Sequence, residues 1–151
     1  MDTALTSKVD LHAAARETML KNGFAPDFSA AVQTQLSTIS SLSVEGRASS
    51  GVRDLRNLLW SSIDNDTSRD LDQIEYAEKL PNGGWKVLIG IADVDVLVPK
   101  QSAIDDHAAS QTTTVYTGIE MFPMLPEQLS TGATSLLEAQ DGAATASNWA
   151  P

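Results

Sequence analysis

The chain has no cysteine, which excludes a disulfide framework, a thiolate zinc site and a thiol nucleophile. It has no apolar run near the roughly 20 residues that a membrane-spanning helix needs, so no membrane partner is expected. The opening Met1-Asp2-Thr3-Ala4-Leu5-Thr6-Ser7-Lys8 lacks the basic start and apolar centre of a secretory signal. These absences are compatible with a cytoplasmic location. Positive charge is scarce as well: 10 Lys and Arg stand against 20 Asp and Glu, a net charge of −10. That balance argues against a general polyanion-binding surface. No Gly-x-Ser-x-Gly elbow, phosphate-binding glycine loop or zinc-ligand spacing occurs. His12 and His107 read as surface or capping positions on predicted helices.

What is present has the composition of a globular chain. At 151 residues and 42% hydrophobic, it holds one domain, or one domain with a short appendage. An autonomous fold of this size buries about 70% of the surface its unfolded chain exposes. Leu11, Ala15 and Met19 recur at helical spacing before the stop signal Asn22-Gly23. Pro26-Asp27 opens a second predicted helix with the apolar stripe Phe28, Val32, Leu36 and Ile39. Residues 1–40 therefore read as a helical N-terminal module or brace. Its low basic content and core-like stripe weigh against a DNA-reading helix pair. Residues 41–51, rich in Ser and Gly, read as a linker.

Beyond the linker the pattern turns to strands. Ile74-Glu75-Tyr76-Ala77, the turn Pro81-Asn82-Gly83-Gly84 and Trp85 to Asp93 predict a β-hairpin. Ser102 with Asp105 predicts a capped helix through about Ser110. Val115-Tyr116 and Pro123-Met124-Leu125-Pro126 read as extended, and Glu127 to Leu137 as holding a short helix. Residues 141–151 show no periodicity and read as an irregular tail.

The most informative stretch is acidic. Asp64, Asp66, Asp70 and Asp72 fall within nine residues, and carboxylates this close raise one another's pKa and repel. Such a cluster sits either on a water-screened loop or around a hard cation held by oxygen ligands. Turn chemistry in Asp-Asn-Asp-Thr-Ser suits the first. Two cation readings remain open. A calcium loop would use Asp64, Asp66, Ser68 and, at its twelfth position, Glu75, but Arg69 stands where that loop requires glycine. A nuclease-type magnesium site would use Asp70 and Asp72, which point the same way if extended, with Asp64 approaching from the preceding strand end. Arg47, Arg53, Arg56 and Arg69 lie beside the run, either pairing with nearby carboxylates or holding phosphates beside a metal.

The run Asp54-Leu55-Arg56-Asn57-Leu58-Leu59, then Ile63-Asp64, then Arg69-Asp70-Leu71-Asp72, resembles the opening of the RNB catalytic domain of the ribonuclease II and RNase R exoribonuclease family. The order continues with Leu80-Pro81-Asn82-Gly83 and Ile91-Ala92-Asp93-Val94. It continues further with Thr114-Val115-Tyr116, Pro123-Met124-Leu125-Pro126, Leu129-Ser130 and Ser135-Leu136. The helical start resembles the family's short bacterial form. The resemblance implies a mixed α/β fold, in which the helical module precedes the first part of an RNB-type β-sheet with flanking helices over 52–140.

It also implies a hydrolytic 3′→5′ exoribonuclease that acts on single-stranded RNA with Mg²⁺ and releases nucleoside 5′-monophosphates. By that resemblance Asp64, Asp70, Asp72 and Gln73 fall at the metal site, with Asp70 and Asp72 catalytic. Loss of the Asp72 carboxylate would then abolish cleavage and spare binding. Tyr116 would stack on the terminal nucleotides, and Arg69 would contact RNA.

Two residues depart from the family pattern. Gln73 replaces a fourth aspartate, giving an amide oxygen without charge, and Gly90 replaces a histidine. Family catalytic domains also run further than this chain, which therefore reads as the front part of one. Its expected partners are single-stranded RNA and either a second chain or the C-terminal half of the domain. A non-catalytic interaction fragment is the competing reading.

Overall fold

A computed structural model describes residues 9–39, 52–138, 140 and 142–149, with only the backbone for the last two. The predicted linker 41–51 and the extreme ends lie outside the described residues. Among these, no helix is long and apolar enough to cross a membrane.

Helix α1 (Leu11–Lys21) starts at Asp10, whose carboxylate accepts from the Ala13 amide at 3.0 Å. It ends where the sequence signals a stop. Gly23 adopts φ +83°, its amide reaches the Leu20 carbonyl at 3.1 Å, and the Phe24 amide reaches Met19 at 3.0 Å. This paired closure satisfies carbonyls left open at the helix end and needs the left-handed backbone that glycine adopts freely. Helix α2 (Ala30–Ile39) begins later than Pro26-Asp27 suggests, because Ser29 supplies the cap by accepting from the Val32 amide at 3.3 Å. Helix α3 (Ala103–Gln111) is capped as expected: the Asp105 amide donates to Ser102 Oγ, and Asp105 Oδ2 accepts from the Gln101 amide at 2.7 Å.

The stripe on α2 enters a core shared with later residues. Val32, Leu36 and Ile39 are buried against Leu97, Val98, Ile104 and Leu129, with Phe28 packed alongside. Two glutamines lock this arrangement. Gln35 Oε1 accepts from the Ile104 amide at 2.9 Å while its Nε2 donates to Ser102 Oγ at 2.9 Å. Buried Gln111 accepts from the Ala25 amide and donates back to the Ala25 carbonyl. Helix α2 is thus a brace built into the core, and Gln111 ties the α1–α2 connection to α3. His107, expected at the surface, is half-buried instead, its ring 4.6 Å from that of Phe28. Its Nε2 has no hydrogen-bond partner among the described residues, and burial lowers its pKa.

Strands β1 (Gln73–Lys79) and β2 (Trp85–Ala92) form the predicted hairpin, in register from Gln73 opposite Ile91 to Lys79 opposite Trp85. A short 3₁₀ turn, Val94–Val96, leads from β2 toward α3. Strands β3 (Val115–Tyr116) and β4 (Met121–Phe122) make a separate small ribbon. Residues 144–149, expected to be irregular, instead form β5 (Ala144–Trp149), antiparallel to β2. Hydrophobic periodicity does not reveal such a strand: its described side chains are exposed and small, and backbone pairing with the free edge of β2 holds it. At Gly90 an added Cβ would sit 3.1 Å from Ile74 Cγ1 and 3.6 Å from Ala144 Cβ. The cross-strand neighbours therefore favour a residue without a side chain there.

Because α2 shares the core, truncating it should weaken the helical unit as a whole. Leu36→Ala is expected to cost roughly 2 to 5 kcal/mol in urea unfolding followed by far-UV circular dichroism. An unchanged midpoint would contradict a shared core.

Candidate active site

The acidic run is fixed from three directions. Upstream, Ser61 pairs with Glu75 on the free edge of β1 through amide–carbonyl bonds of 2.9 and 2.7 Å. The Trp60 indole donates to the Leu55 carbonyl at 2.9 Å and meets Tyr76 edge-on. Asp64 therefore leaves a paired edge. Its Oδ1 accepts from Ser68 Oγ at 2.5 Å and from the Asn65 amide at 2.7 Å. The hydroxyl first, and the amide second, hold its pKa below the ordinary carboxylate value.

In the middle, buried Ser135 clamps the backbone: its Oγ accepts from the Leu71 amide at 3.0 Å and donates to the Arg69 carbonyl at 2.8 Å. The Leu136 amide donates to the Leu71 carbonyl at 2.8 Å. Downstream, the Asp72 carbonyl accepts from the Ala92 amide at 2.8 Å, so the run passes directly into the β1–β2 register.

The β3–β4 ribbon contributes to the same cleft. Alternation along two paired strands puts Val115 and Phe122 on one face and Tyr116 and Met121 on the other. Phe122 is buried, while Tyr116 and Met121 are exposed. A third wall comes from the π-helical turn Leu129–Ala133, anchored by buried Leu129 and by the Thr134 amide and hydroxyl, both donating to the Leu129 carbonyl. The three walls enclose an open cleft of about 520 Å³. Asp64, Arg69, Asp70 and Asp72 line one side, Thr114, Tyr116 and Met121 another, and Glu127, Ser130 and Thr131 the third.

The structure thus brings Asp64, Asp70, Asp72, Arg69 and Tyr116 to one cleft. Gln73 does not line it. As the first residue of β1 it extends along the strand, and its amide donates to Glu75 Oε1. The calcium-loop expectation is corrected for a related reason. A strand follows the run where an exiting helix is required, and Glu75 pairs at the sheet edge. Arg56 has the structural role foreseen for it, binding Asp54 through Nε and Nη2 at 2.9 and 2.7 Å and lowering that carboxyl to about 2. Arg69 has no carboxylate partner among the described residues.

No three His, Asp or Glu side chains among the described residues converge closely enough to hold one ion. The exposed carboxylates still suit a hard cation. Magnesium keeps several waters and takes one or two carboxylates together with substrate phosphate. Sequence reasoning missed the contributions of Ser135, Met121, Glu127, Ser130 and Thr131. Met121 was accessible in principle, as the cross-strand partner of Tyr116 in a tight hairpin. The Ser135 clamp, 64 residues distant from Leu71, had no local signal.

A carboxyl whose folded pKa is depressed adds stability above its unfolded value, near 3.9, and loses it as pH falls through the folded value. Ser68→Ala should raise the Asp64 pKa toward the ordinary value of 3.8, read as a shifted carboxyl ¹³C titration. An unmoved titration would contradict the hydroxyl's role.

The chain is similar to known proteins. The RNB domain family matches residues 52–149. Ribonuclease R of Escherichia coli is 41% identical over 93 residues, covering 62% of this chain and 11% of the relative. DIS3-like exonuclease 2 of Schizosaccharomyces pombe is 48% identical over 77 residues, covering 51% and 8%. Among solved structures, Mycoplasma genitalium RNase R in complex with double-stranded RNA superposes with a TM-score of 0.82 at 30% identity, covering 93% of this chain and 25% of that one. The same enzyme in complex with ribose methylated single-stranded RNA gives 0.80 at 29%, covering 93% and 22%. Those shares reach well into the helical brace, whereas the chain spans only about a tenth of the E. coli relative. Since the family match runs over more than half of the chain, from the segment before Asp64 to the end of β5, the protein belongs to the RNB domain family.

Proposed function

We propose that this chain carries the metal-binding and RNA-end-holding part of a hydrolytic ribonuclease that acts 3′→5′ on single-stranded RNA and releases nucleoside 5′-monophosphates. One observation supports this most: Asp64, Asp70, Asp72 and the exposed ring of Tyr116 line a single cleft, in a chain similar to ribonucleases. One or two carboxylates of the set Asp64, Asp70 and Asp72, together with a substrate phosphate, would hold Mg²⁺, which when bound supplies activation of water and stabilisation of the leaving oxygen. The Asp64 carboxylate is kept ionised by its Ser68 and Asn65 donors. Asp70 and Asp72 are exposed and need no desolvation before a phosphate approaches.

Tyr116 offers its ring for stacking on a terminal base, an interaction that tolerates any base and is worth about 1–3 kcal/mol. Arg69, without a carboxylate partner among the described residues, is available to a phosphate oxygen beside it.

A second reading is that the chain binds RNA or protein and needs another chain for catalysis. It is favoured by the cation count of the cleft, where Arg69 is the one basic residue in the lining among the described residues.

Digestion of a 5′-labelled single-stranded RNA with Mg²⁺ separates the two readings. The proposal expects shortening from the 3′ end, reduced roughly 100-fold or more in Asp72→Asn, with RNA binding retained. RNA binding without cleavage in both proteins would favour the second reading.

A further inference from the structure

We propose that Arg16 on α1 is a positioning residue for the RNA-gripping wall of the cleft, acting through Glu120 on the β3–β4 ribbon; the link to RNA rests on the reading above. The ribbon is too small to hold its own shape. Each strand has two residues, and an isolated hairpin of that size is unstable in water. Its inner face is anchored by Phe122, which is buried. The turn at its tip closes on itself, with the Thr117 hydroxyl accepting from the Glu120 amide at 2.9 Å and the Thr117 amide donating to the Glu120 carbonyl at 3.1 Å.

What ties that tip to the body of the protein is the Glu120 side chain. Arg16 Nη1 donates to Glu120 Oε1 at 2.9 Å, and His12 Nδ1 lies 3.4 Å from Oε2. The same guanidinium binds Asp27 through Nη2, in the segment between α1 and α2.

One side chain therefore joins α1, the α1–α2 connection and the ribbon tip. Helix α1 buries only Met19 among its residues, and this polar junction links it to the ribbon tip. Glu120 directly precedes Met121, whose cross-strand partner is Tyr116. A tip released from Arg16 lets both side chains shift together, and with them the face presented to a nucleotide. The helical brace thereby acquires a role in RNA recognition although none of its residues lines the cleft.

The test uses the full chain. Methyl ¹³C-labelled methionine reports the ribbon without RNA, and fluorescence anisotropy of a short 5′-labelled single-stranded RNA reports the grip. Arg16→Ala and Glu120→Ala should each move the Met121 methyl resonance, and Arg16→Lys should restore most of its position. RNA affinity should fall roughly tenfold in Tyr116→Ala and about threefold in Arg16→Ala. In the double variant, Arg16→Ala should add nothing to the loss from Tyr116→Ala, because both act through one wall. A merely structural role would give additive losses.

An unmoved Met121 signal in Arg16→Ala, or additive losses in the double variant, overturns the proposal. If Met121 moves but the wild-type chain binds no RNA, placement of the ribbon by Arg16 is upheld and the ribonuclease reading is what fails.

Discussion

Ser135 accepts a hydrogen bond from the Leu71 amide and donates one to the Arg69 carbonyl, and the cleft depends on this contact. Four aspartates within nine residues repel one another, and a free loop of that composition would spread them into solvent. Here the backbone between Asp70 and Asp72 is tied to a buried hydroxyl, while Asp72 is tied to the end of β2. The side chains stay exposed while the main chain is tied down. Backbone hydrogen bonds hold the run in place, and among the described residues no cation pairs with Asp64, Asp70 or Asp72, which leaves their negative charge available to a ligand.

The same division recurs on the facing wall. Phe122 anchors the β3–β4 ribbon from within, and its opposite face offers Tyr116 and Met121 to the cleft. The π-helical turn repeats it with Leu129 inside and Ser130 and Thr131 toward the opening. On these two walls an apolar anchor, Phe122 or Leu129, stands one residue away from a side chain that lines the cleft. Strand alternation and the wide π turn supply that change of direction over a single step. Leu129 belongs to the core that α2 completes, so this wall of the cleft and the second helix share one packing unit.

Much of this was legible in the sequence where a local pattern carried it. Asn22-Gly23 ended a helix, Ser102 with Asp105 began one, and Pro81 to Gly84 turned a hairpin, because caps and turns are chemistry of adjacent residues. The aspartates stood out for the same reason, and ordered motifs from Asp54 to Leu136 pointed to the RNB family. Strand β5 was not legible, since Ala144 to Ser147 contribute backbone pairing and almost no hydrophobic pattern. Gln73 looked like a fourth ligand by position alone, yet the strand it begins carries its amide to Glu75. His107 looked like a surface residue because nothing local reveals that Phe28 will cover it. Contacts between distant segments, such as Ser135 with Leu71 or Arg16 with Glu120, are invisible to spacing.

The central claim is that the acidic run and the Tyr116–Met121 face form the two sides of one cation-dependent cleft. Paramagnetic broadening by substoichiometric Mn²⁺ in place of Mg²⁺ tests it most directly. The account predicts selective loss of the Asp64, Asp70 and Asp72 amide signals, together with the Met121 methyl across the cleft. Broadening confined to scattered exposed carboxylates such as Glu17 and Glu138, with Met121 untouched, would contradict it.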